Sequence, residues 1–186
     1  MKITGGFLKG QKLFLPPPKI LEIRPLRSRI RKAIFDILGQ TLSNWKVLDL
    51  FAGTGALGIE ALSRGADFAV FVDYSSLSIS LIKKNLEKFK LQDKAQVYKL
   101  KLPDGLIKLS KNYKNFFNLV FITPPYKKNL ALKTLETFPE FLLATEPIII
   151  TEEHTDIQLP EKINNLELLQ KRTYGETSLY FYSFSQ

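Results

Sequence analysis

The chain has 186 residues, a formal net charge of +9 and a pI near 9.6. Its 45% hydrophobic and 24% charged residues are typical of one globular domain and exclude a disordered chain. It contains no cysteine, which excludes disulfides, thiolate zinc sites and cysteine nucleophiles. It contains one histidine. The N-terminus has no apolar run of signal-peptide length, and no run approaches the ~20 residues that span a bilayer, so we expect a cytoplasmic protein.

The N-terminal residues 1–20 are predicted to form a small hairpin or extended arm. They alternate weakly between apolar and polar side chains and carry Gly5, Gly6 and Gly10, which permit tight turns. The triple proline at 16–18 then stiffens the chain as an extended connector.

A helix is predicted after Pro25, because apolar residues recur at helical spacing and Gly39 can end the helix. The apolar positions are Ile30, Ile34 and either Ile37 or Leu38. Four of the six arginines lie around its start, and these are Arg24, Arg27, Arg29 and Arg31. Because the planar arginine fork suits phosphate, we expect them to form a basic edge that binds a polyanion.

From Lys46 onward, strand and helix patterns alternate. Strands are predicted over 46–51, 68–72, 95–100, 117–122 and 147–151. Helices are predicted over 57–64, from a cap at Ser75 or Ser76 to Phe89, and over 130–138. Residues 166–172 and 178–184 predict a closing hairpin around Gly175. The pattern predicts an α/β fold in one compact domain over 21–186, with a mostly parallel, Rossmann-like sheet and a C-terminal antiparallel hairpin.

A glycine-rich loop joins the first core strand to its helix over residues 49–58. Glycines at 53, 55 and 58 let the backbone turn sharply and approach a ligand closely. Asp73 ends the next strand, where an acidic residue meets ribose hydroxyls in nucleotide-binding sheets. A nicotinamide dehydrogenase is one alternative, but Asp49 would repel its pyrophosphate. The sulfonium and amino group of S-adenosylmethionine would tolerate that carboxylate.

A second motif, Thr123-Pro124-Pro125-Tyr126, follows the predicted strand over 117–122. The prolines hold the chain extended beyond the carboxyl edge of the sheet, where open α/β sheets bind ligands. Methylation of a base amino group requires acceptors for its N–H groups and an aromatic face for the unstacked base. The threonine hydroxyl, the Pro124 carbonyl and the Tyr126 ring are candidates for these roles.

Taken together, these motifs resemble the bacterial RsmD-type family, which methylates N2 of a guanine in small-subunit ribosomal RNA. The resemblance covers nearly the whole chain. It is carried by the glycines of 3–13, the arginines of 24–35, the stretch 48–66, Pro124-Pro125-Tyr126, Glu153-His154 and the segment 172–177. The stretch 48–66 is its most specific part.

The resemblance implies an S-adenosylmethionine-dependent rRNA (guanine-N2)-methyltransferase, without a metal and as a monomer. Its partner would be small-subunit ribosomal RNA or the assembled small subunit. The implied cofactor residues are Asp49, Phe51, Ala52, Gly53, Thr54, Gly55, Asp73, Tyr74 and Asp104. Thr123 and Pro124 would hold the target amine, Tyr126 would stack on the base, and Arg24, Arg27, Arg29 and Arg31 would bind RNA phosphates together with the arm.

Two positions depart from the family pattern. The family motif is Asp-Pro-Pro-Tyr, but this chain has Thr123 in place of the aspartate. The family's acidic residue after the third strand aligns with Lys101, and the nearest carboxylate is Asp104. Two alternatives therefore stay open: an amino-methyltransferase for DNA or another nucleobase, and a diverged RNA-binding protein with weak turnover.

Overall fold

The computed structural model describes residues 1–17 and 28–184. The chain divides into two compact units, Met1–Leu100 and Lys101–Gln186. The predicted arm 1–20 and domain 21–186 stay a prediction. Arg24, Arg27 and Pro25 lie outside the described residues.

Unit 1 begins with residues 1–17 of the predicted arm, which contain a tight hairpin. The Ile3 N–H donates to the Gln11 carbonyl and the Gly10 N–H to the Ile3 carbonyl, both at 2.9 Å. A single antiparallel bridge joins Lys2 to Lys12. Its apolar residues, Ile3, Leu8 and Leu13, are buried. The predicted N-terminal hairpin is therefore present around residues 2–12, whereas the extent of the arm over 1–20 stays a prediction.

The rest of unit 1 alternates helices and parallel strands. They are α1 (Ser28–Leu38), β1 (Lys46–Leu50), α2 (Ala56–Ser63), β2 (Phe68–Asp73), α3 (Ser76–Lys88) and β3 (Ala95–Lys99). The strands lie in the order β3-β2-β1 and both pairs are parallel. Ser75 caps α3 through its side chain, which accepts from the Ser78 N–H. The buried strands form the core of this unit and bring the ends of β1 and β2 to one edge, as the predicted alternation requires.

Unit 2 contains β4 (Phe117–Ile122), α4 (Leu130–Glu136), β5 (Leu143–His154), β6 (Lys162–Ile163), β7 (Leu166–Tyr174) and β8 (Thr177–Phe184). β4 and β5 are parallel, whereas β5-β8-β7-β6 are antiparallel neighbours. The hairpin of β7 and β8 turns at Gly175, where φ is 61°. The Rossmann-like α/β fold with a closing antiparallel hairpin is therefore confirmed.

Two local features differ from the predicted pattern. β5 is more than twice as long as the predicted strand 147–151 and runs from Leu143 to His154. A 3-10 helix occupies Asp104–Lys111, where no element was predicted. Ile30 and Ile34 of α1 are buried as predicted, and of the two alternatives for the next apolar position Leu38 is half-buried and Ile37 is exposed. None of the helices in the described ranges is both long and apolar enough to cross a bilayer.

A buried carboxylate on α2 holds the arm, α1 and α2 together. Glu60 accepts from the Thr4 N–H at 2.9 and 3.0 Å and from the Thr4 hydroxyl at 2.7 Å. It also forms ion pairs with Arg31 at 3.1 Å and Arg64 at 3.0 Å. The Arg31 guanidinium donates further to the Lys2 carbonyl. The arm is thus attached to the rest of unit 1 through a buried charge cluster.

The Glu60 cluster can be tested by removing its acid. Glu60→Ala is expected to lower the free energy of unfolding by ~3–5 kcal/mol, because two buried arginines lose their counter-charge. Lys32→Ala, which removes an exposed ion pair with Asp36 on α1, should cost no more than ~0.5 kcal/mol. Urea denaturation compares the two variants. Equal losses of unfolding free energy would show that the buried carboxylate stabilises the fold no more than an exposed ion pair does.

Candidate functional site

The loop between β1 and α2 is a tight turn at the end of the first strand. Phe51, Gly53 and Gly55 have φ values of 57°, 57° and 76°, in the left-handed region. The Ala52 N–H donates to the Val72 carbonyl at 3.1 Å, so the loop is fixed against β2. A left-handed conformation at a residue with a side chain, such as Phe51, is uncommon and is often found at functional sites.

Asp49 lies beneath this loop and is almost fully buried, with 1% of its surface exposed. Its Oδ2 accepts from the Gly58 N–H at 2.9 Å, whereas its buried Oδ1 has no hydrogen-bond partner. Burial raises the pKa of Asp49 to about 8, against the Gly58 hydrogen bond and with a contribution from the charge of Asp73. An unpaired buried oxygen is costly unless a ligand supplies a donor or a positive charge. The position suits a cationic ligand such as an ammonium group.

Gly58 allows α2 to approach this carboxylate. A Cβ at this position would lie 2.3 Å from Phe71 Cε1 and 3.2 Å from Asp49 Oδ2. A side chain would therefore displace the Phe71 ring and lengthen the hydrogen bond from the Gly58 N–H. The third glycine of the motif is needed for packing and for the orientation of Asp49.

Asp73 ends β2 and contacts the same loop. Its Oδ2 accepts from the Gly53 N–H and its Oδ1 from the Ser75 N–H, both at 2.9 Å. Each carboxylate oxygen retains a second lone pair, which can accept from a ligand hydroxyl. Tyr74 follows with 59% of its surface exposed. The structure brings Asp49, the loop 51–55 and Asp73 together in unit 1, with Tyr74 next to them in the chain.

Asp104, the carboxylate predicted near the cofactor, belongs to unit 2. Its side chain is 71% exposed, and its Oδ1 lies 3.8 Å from Lys133 Nζ. It stands at the start of the 3-10 helix Asp104–Lys111, and Lys101 is exposed just before it. Its role toward the cofactor stays a prediction.

The Thr123-Pro124-Pro125-Tyr126 segment leaves the end of β4 in unit 2. Thr123 and Tyr126 are half-buried, Pro124 is buried and Pro125 is exposed. The Tyr126 hydroxyl lies 2.7 Å from Thr177 Oγ1, at the start of β8. This hydrogen bond fixes the ring by its far end, as a stacking surface for a base would require.

Glu153 on β5 accepts hydrogen bonds from the backbone beside Tyr126 and from its own neighbour, and this role was not predicted. It is buried, and its Oε1 accepts from the Lys127 N–H at 3.2 Å and the His154 N–H at 2.8 Å. The His154 ring meets Tyr126 edge to face at 6.1 Å between centroids. Its Nδ1 lies 3.1 Å from Asp156 Oδ2, and the pKa of Asp156 is lowered by the hydrogen bond from Lys127 and by His154. These contacts make His154 a structural neighbour of Tyr126.

The predicted RNA-binding arginines divide into three cases. Arg24 and Arg27 lie outside the described residues, and Arg29 is exposed on α1. Arg31 is fully buried against Glu60, so it has no surface to offer a phosphate. The prediction that Arg31 binds RNA is wrong, because its charge is already neutralised inside unit 1.

Within residues 1–17 and 28–184, no group of three or more histidine, aspartate or glutamate side chains could hold a metal ion.

Comparison with known proteins shows the family to which the chain belongs. A family model described as "Conserved hypothetical protein 95" matches residues 1–183. The chain belongs to this family, the RsmD-type proteins. It is 32% identical to the Haemophilus influenzae protein "Ribosomal RNA small subunit methyltransferase D", over 98% of this chain and 93% of that protein. The Escherichia coli protein of the same name is 30% identical, over 98% and 89%.

A solved structure shows the same architecture. The Escherichia coli protein yhhF superposes with a TM-score of 0.83 and 29% identity, covering 100% of this chain and 98% of that one. The RsmD-type relatives thus match the arm as well as the α/β sheet. The predicted family and fold are confirmed.

The buried state of Asp49 can be tested through the pH dependence of stability. The folded protein holds the Asp49 proton up to about pH 8, whereas the unfolded chain releases it near 3.8. Since the folded state binds the extra proton between these values, the unfolding free energy should fall as the pH rises, by up to ~1.4 kcal/mol per unit. Asp49→Asn should lack this part of the slope. Urea denaturation of both proteins across this range makes the comparison, and parallel curves would contradict a protonated Asp49.

Proposed function

We propose that this protein transfers a methyl group from S-adenosylmethionine to the N2 amino group of a guanine in small-subunit ribosomal RNA. The observation that carries the proposal is the match, over nearly the whole chain, to relatives named for methylation of that RNA. The unpaired buried oxygen of Asp49 supports it from the structure, because it suits a ligand with an amino group.

Residues of unit 1 are proposed to hold the cofactor. When bound, S-adenosylmethionine supplies a methyl group already activated by its sulfonium. Asp49 Oδ1 would accept from the amino group of the methionine half, and the carboxylate of Asp73 from the ribose hydroxyls. The loop Phe51–Gly55, which includes Ala52, Gly53 and Thr54, would lie against the ligand, and the exposed ring of Tyr74 would cover the adenine. Asp104 is proposed as a partner of the adenine amino group.

Residues of unit 2 are proposed to hold the target base. The Thr123 hydroxyl and the Pro124 carbonyl would accept from the two N–H groups of the amine and so aim its lone pair at the methyl group. The Tyr126 ring, fixed by Thr177, would stack on the unstacked guanine, an interaction worth ~1–3 kcal/mol. Positioning and exclusion of water would supply most of the catalysis.

The RNA substrate is proposed to contact the basic edge of the chain. Arg24, Arg27 and the exposed Arg29 would bind phosphates, and Arg31 has no such part. We propose a monomer that works in the cytoplasm on small-subunit RNA, either naked or within the assembled small subunit.

A second candidate function rests on Thr123. A hydroxyl carries no charge, so it grips an amine more weakly than the aspartate of the family motif. The second candidate is therefore a protein that binds RNA and the cofactor but transfers methyl groups slowly. Transfer assays on naked small-subunit RNA, assembled subunits and DNA would separate this candidate, and a DNA-directed enzyme, from the proposed function.

The cofactor assignment makes one prediction. Asp73→Ala should weaken binding of S-adenosylhomocysteine by ~1.5–3 kcal/mol, because charge-assisted bonds to the ribose are lost. Asp67→Ala, an exposed carboxylate just before β2, is the control and should leave the affinity unchanged. Isothermal titration calorimetry measures both. An unchanged affinity of Asp73→Ala would remove Asp73 from the cofactor site.

The target site makes another prediction. Thr123→Asp should raise single-turnover methyl transfer by up to about tenfold, since a charged acceptor adds roughly 1.4 kcal/mol. Thr123→Ala should lower the rate by a similar or smaller factor, and Tyr126→Ala should lower it most, because the stacking surface is lost. The measurement is transfer from labelled cofactor to small-subunit RNA. If Thr123→Asp abolishes a clear wild-type activity, the threonine is not a weaker substitute for the acid.

A further inference from the structure

Phe14 of the arm is linked through one side chain to the loop 51–55, called here the cofactor loop. Asn85 of α3 is fully buried, and its Oδ1 accepts from the Phe14 N–H at 2.6 Å. Its Nδ2 donates to the Phe14 carbonyl at 3.2 Å and to the Thr54 carbonyl at 3.1 Å. The Asn85 amide therefore links the backbone of Phe14 to the backbone of the loop proposed to hold the cofactor.

Although its backbone is fixed, the Phe14 side chain faces outward with 48% of its surface exposed. Lys88 Nζ lies 4.8 Å from the centroid of its ring and donates to the Lys12 carbonyl at 2.6 Å. An aromatic ring beside an ammonium group suits a single-stranded nucleic acid, because a base can stack on the ring and a phosphate can pair with the charge.

The surroundings of Phe14 are positively charged. Residues 1–17 contain three lysines and no acidic residue. On the outer face of α3, Lys84 and Lys88 are one helical turn apart and both are exposed, and Lys83 adds a third exposed lysine against one exposed acid, Glu87. This charge complements a phosphate backbone and opposes a basic protein partner.

We propose that Phe14, Lys84 and Lys88 form a nucleotide-binding surface, called here the Phe14 surface, for an unpaired stretch of the RNA substrate. The Phe14 ring stacks on one base, and the two lysines bind the flanking phosphates. Asn85 keeps this surface next to the cofactor loop. The proposal rests on the proposed function, because it names how the RNA substrate is held.

A purely structural role for the same contacts makes a different prediction. If Lys88 only shields the Phe14 ring from water, any apolar side chain at position 14 should serve equally well. Phe14→Leu keeps an apolar side chain but removes the aromatic face, so this variant separates stacking from shielding. Phe14→Tyr keeps the face and is its conservative counterpart.

The test is binding of unmodified small-subunit ribosomal RNA to the full chain saturated with S-adenosylhomocysteine, measured by filter binding at several salt concentrations. Phe14→Leu should weaken binding roughly 5- to 150-fold, the range for one lost base–aromatic stack, and Phe14→Tyr should stay within about twofold. Lys88→Gln should reduce the slope of log affinity against log salt by ~0.7. Leu169→Ala, which truncates an exposed apolar residue on β7, is the matched control and should bind as the wild type.

Wild-type binding by Phe14→Leu, or an equal loss in Leu169→Ala, would overturn the Phe14 surface. A second measurement uses only the wild-type chain: RNA carrying 4-thiouridine is photo-crosslinked and the attached peptide is mapped. A crosslinked peptide that contains Phe14 is expected, and crosslinks confined to other peptides would also overturn the proposal.

The same preparations separate this proposal from the proposed function. If the wild type methylates the RNA but Phe14→Leu binds it normally, the Phe14 surface is wrong and the function stands. If binding depends on Phe14 but no RNA receives a methyl group, the surface stands and the proposed function is wrong.

Discussion

A carboxylate with no exposed surface is costly, and unit 1 is organised around one. Isolated in the interior, the charge of Glu60 would cost several kcal/mol, and two arginines with the N–H and hydroxyl of Thr4 offset that cost. These partners come from the arm, from α1 and from Arg64 directly after α2, so the charge can be satisfied only when all three are in place. The same constraint explains a glycine of the arm: a Cβ at Gly5 would lie 2.3 Å from the Arg64 guanidinium.

The two carboxylates at the cofactor loop follow the same principle with a different outcome. Both oxygens of Asp73 accept from backbone N–H groups, so this residue is satisfied before any ligand binds. Asp49 has one satisfied oxygen and one buried oxygen without a partner. Asp73 therefore helps to fix the loop through the Gly53 N–H, whereas Asp49 has an incomplete hydrogen-bond set that a ligand can complete. Asp73 thus combines a structural contact with a proposed ligand contact, whereas the unpaired oxygen of Asp49 is left for a ligand.

Much of the fold could be predicted because its signals are local. Apolar runs marked β1, β2 and β4 to within a residue or two, and the glycine spacing located the loop before α2. β5 was predicted too short, because Glu152 and Glu153 are polar and nevertheless buried in the strand. The 3-10 helix Asp104–Lys111 has no periodicity that predicts it.

Contacts between distant residues could not be predicted in the same way. Arg31 resembles its exposed neighbours in the sequence, and its burial depends on Glu60, which lies 29 positions later. Glu153 and Thr177 hold the segment around Tyr126 from other strands, and Asn85 reaches Phe14 across 71 positions. The glycine loop and the proline motif could be located from sequence, but the side chains that hold them in position required three-dimensional coordinates.

The amide of Asn85 bonds only to main-chain atoms of Phe14 and Thr54 in these contacts. Every amino acid except proline presents the same backbone groups, so positions 14 and 54 can vary without breaking the link. Position 85 has no such freedom, since aspartate lacks the N–H donors and leucine lacks both kinds of group. A genetic screen that starts from a mutation of Asn85 should consequently recover no suppressor mutation at position 14 or 54. The lost hydrogen bonds ended on backbone atoms, and a change of side chain at these positions does not alter those atoms.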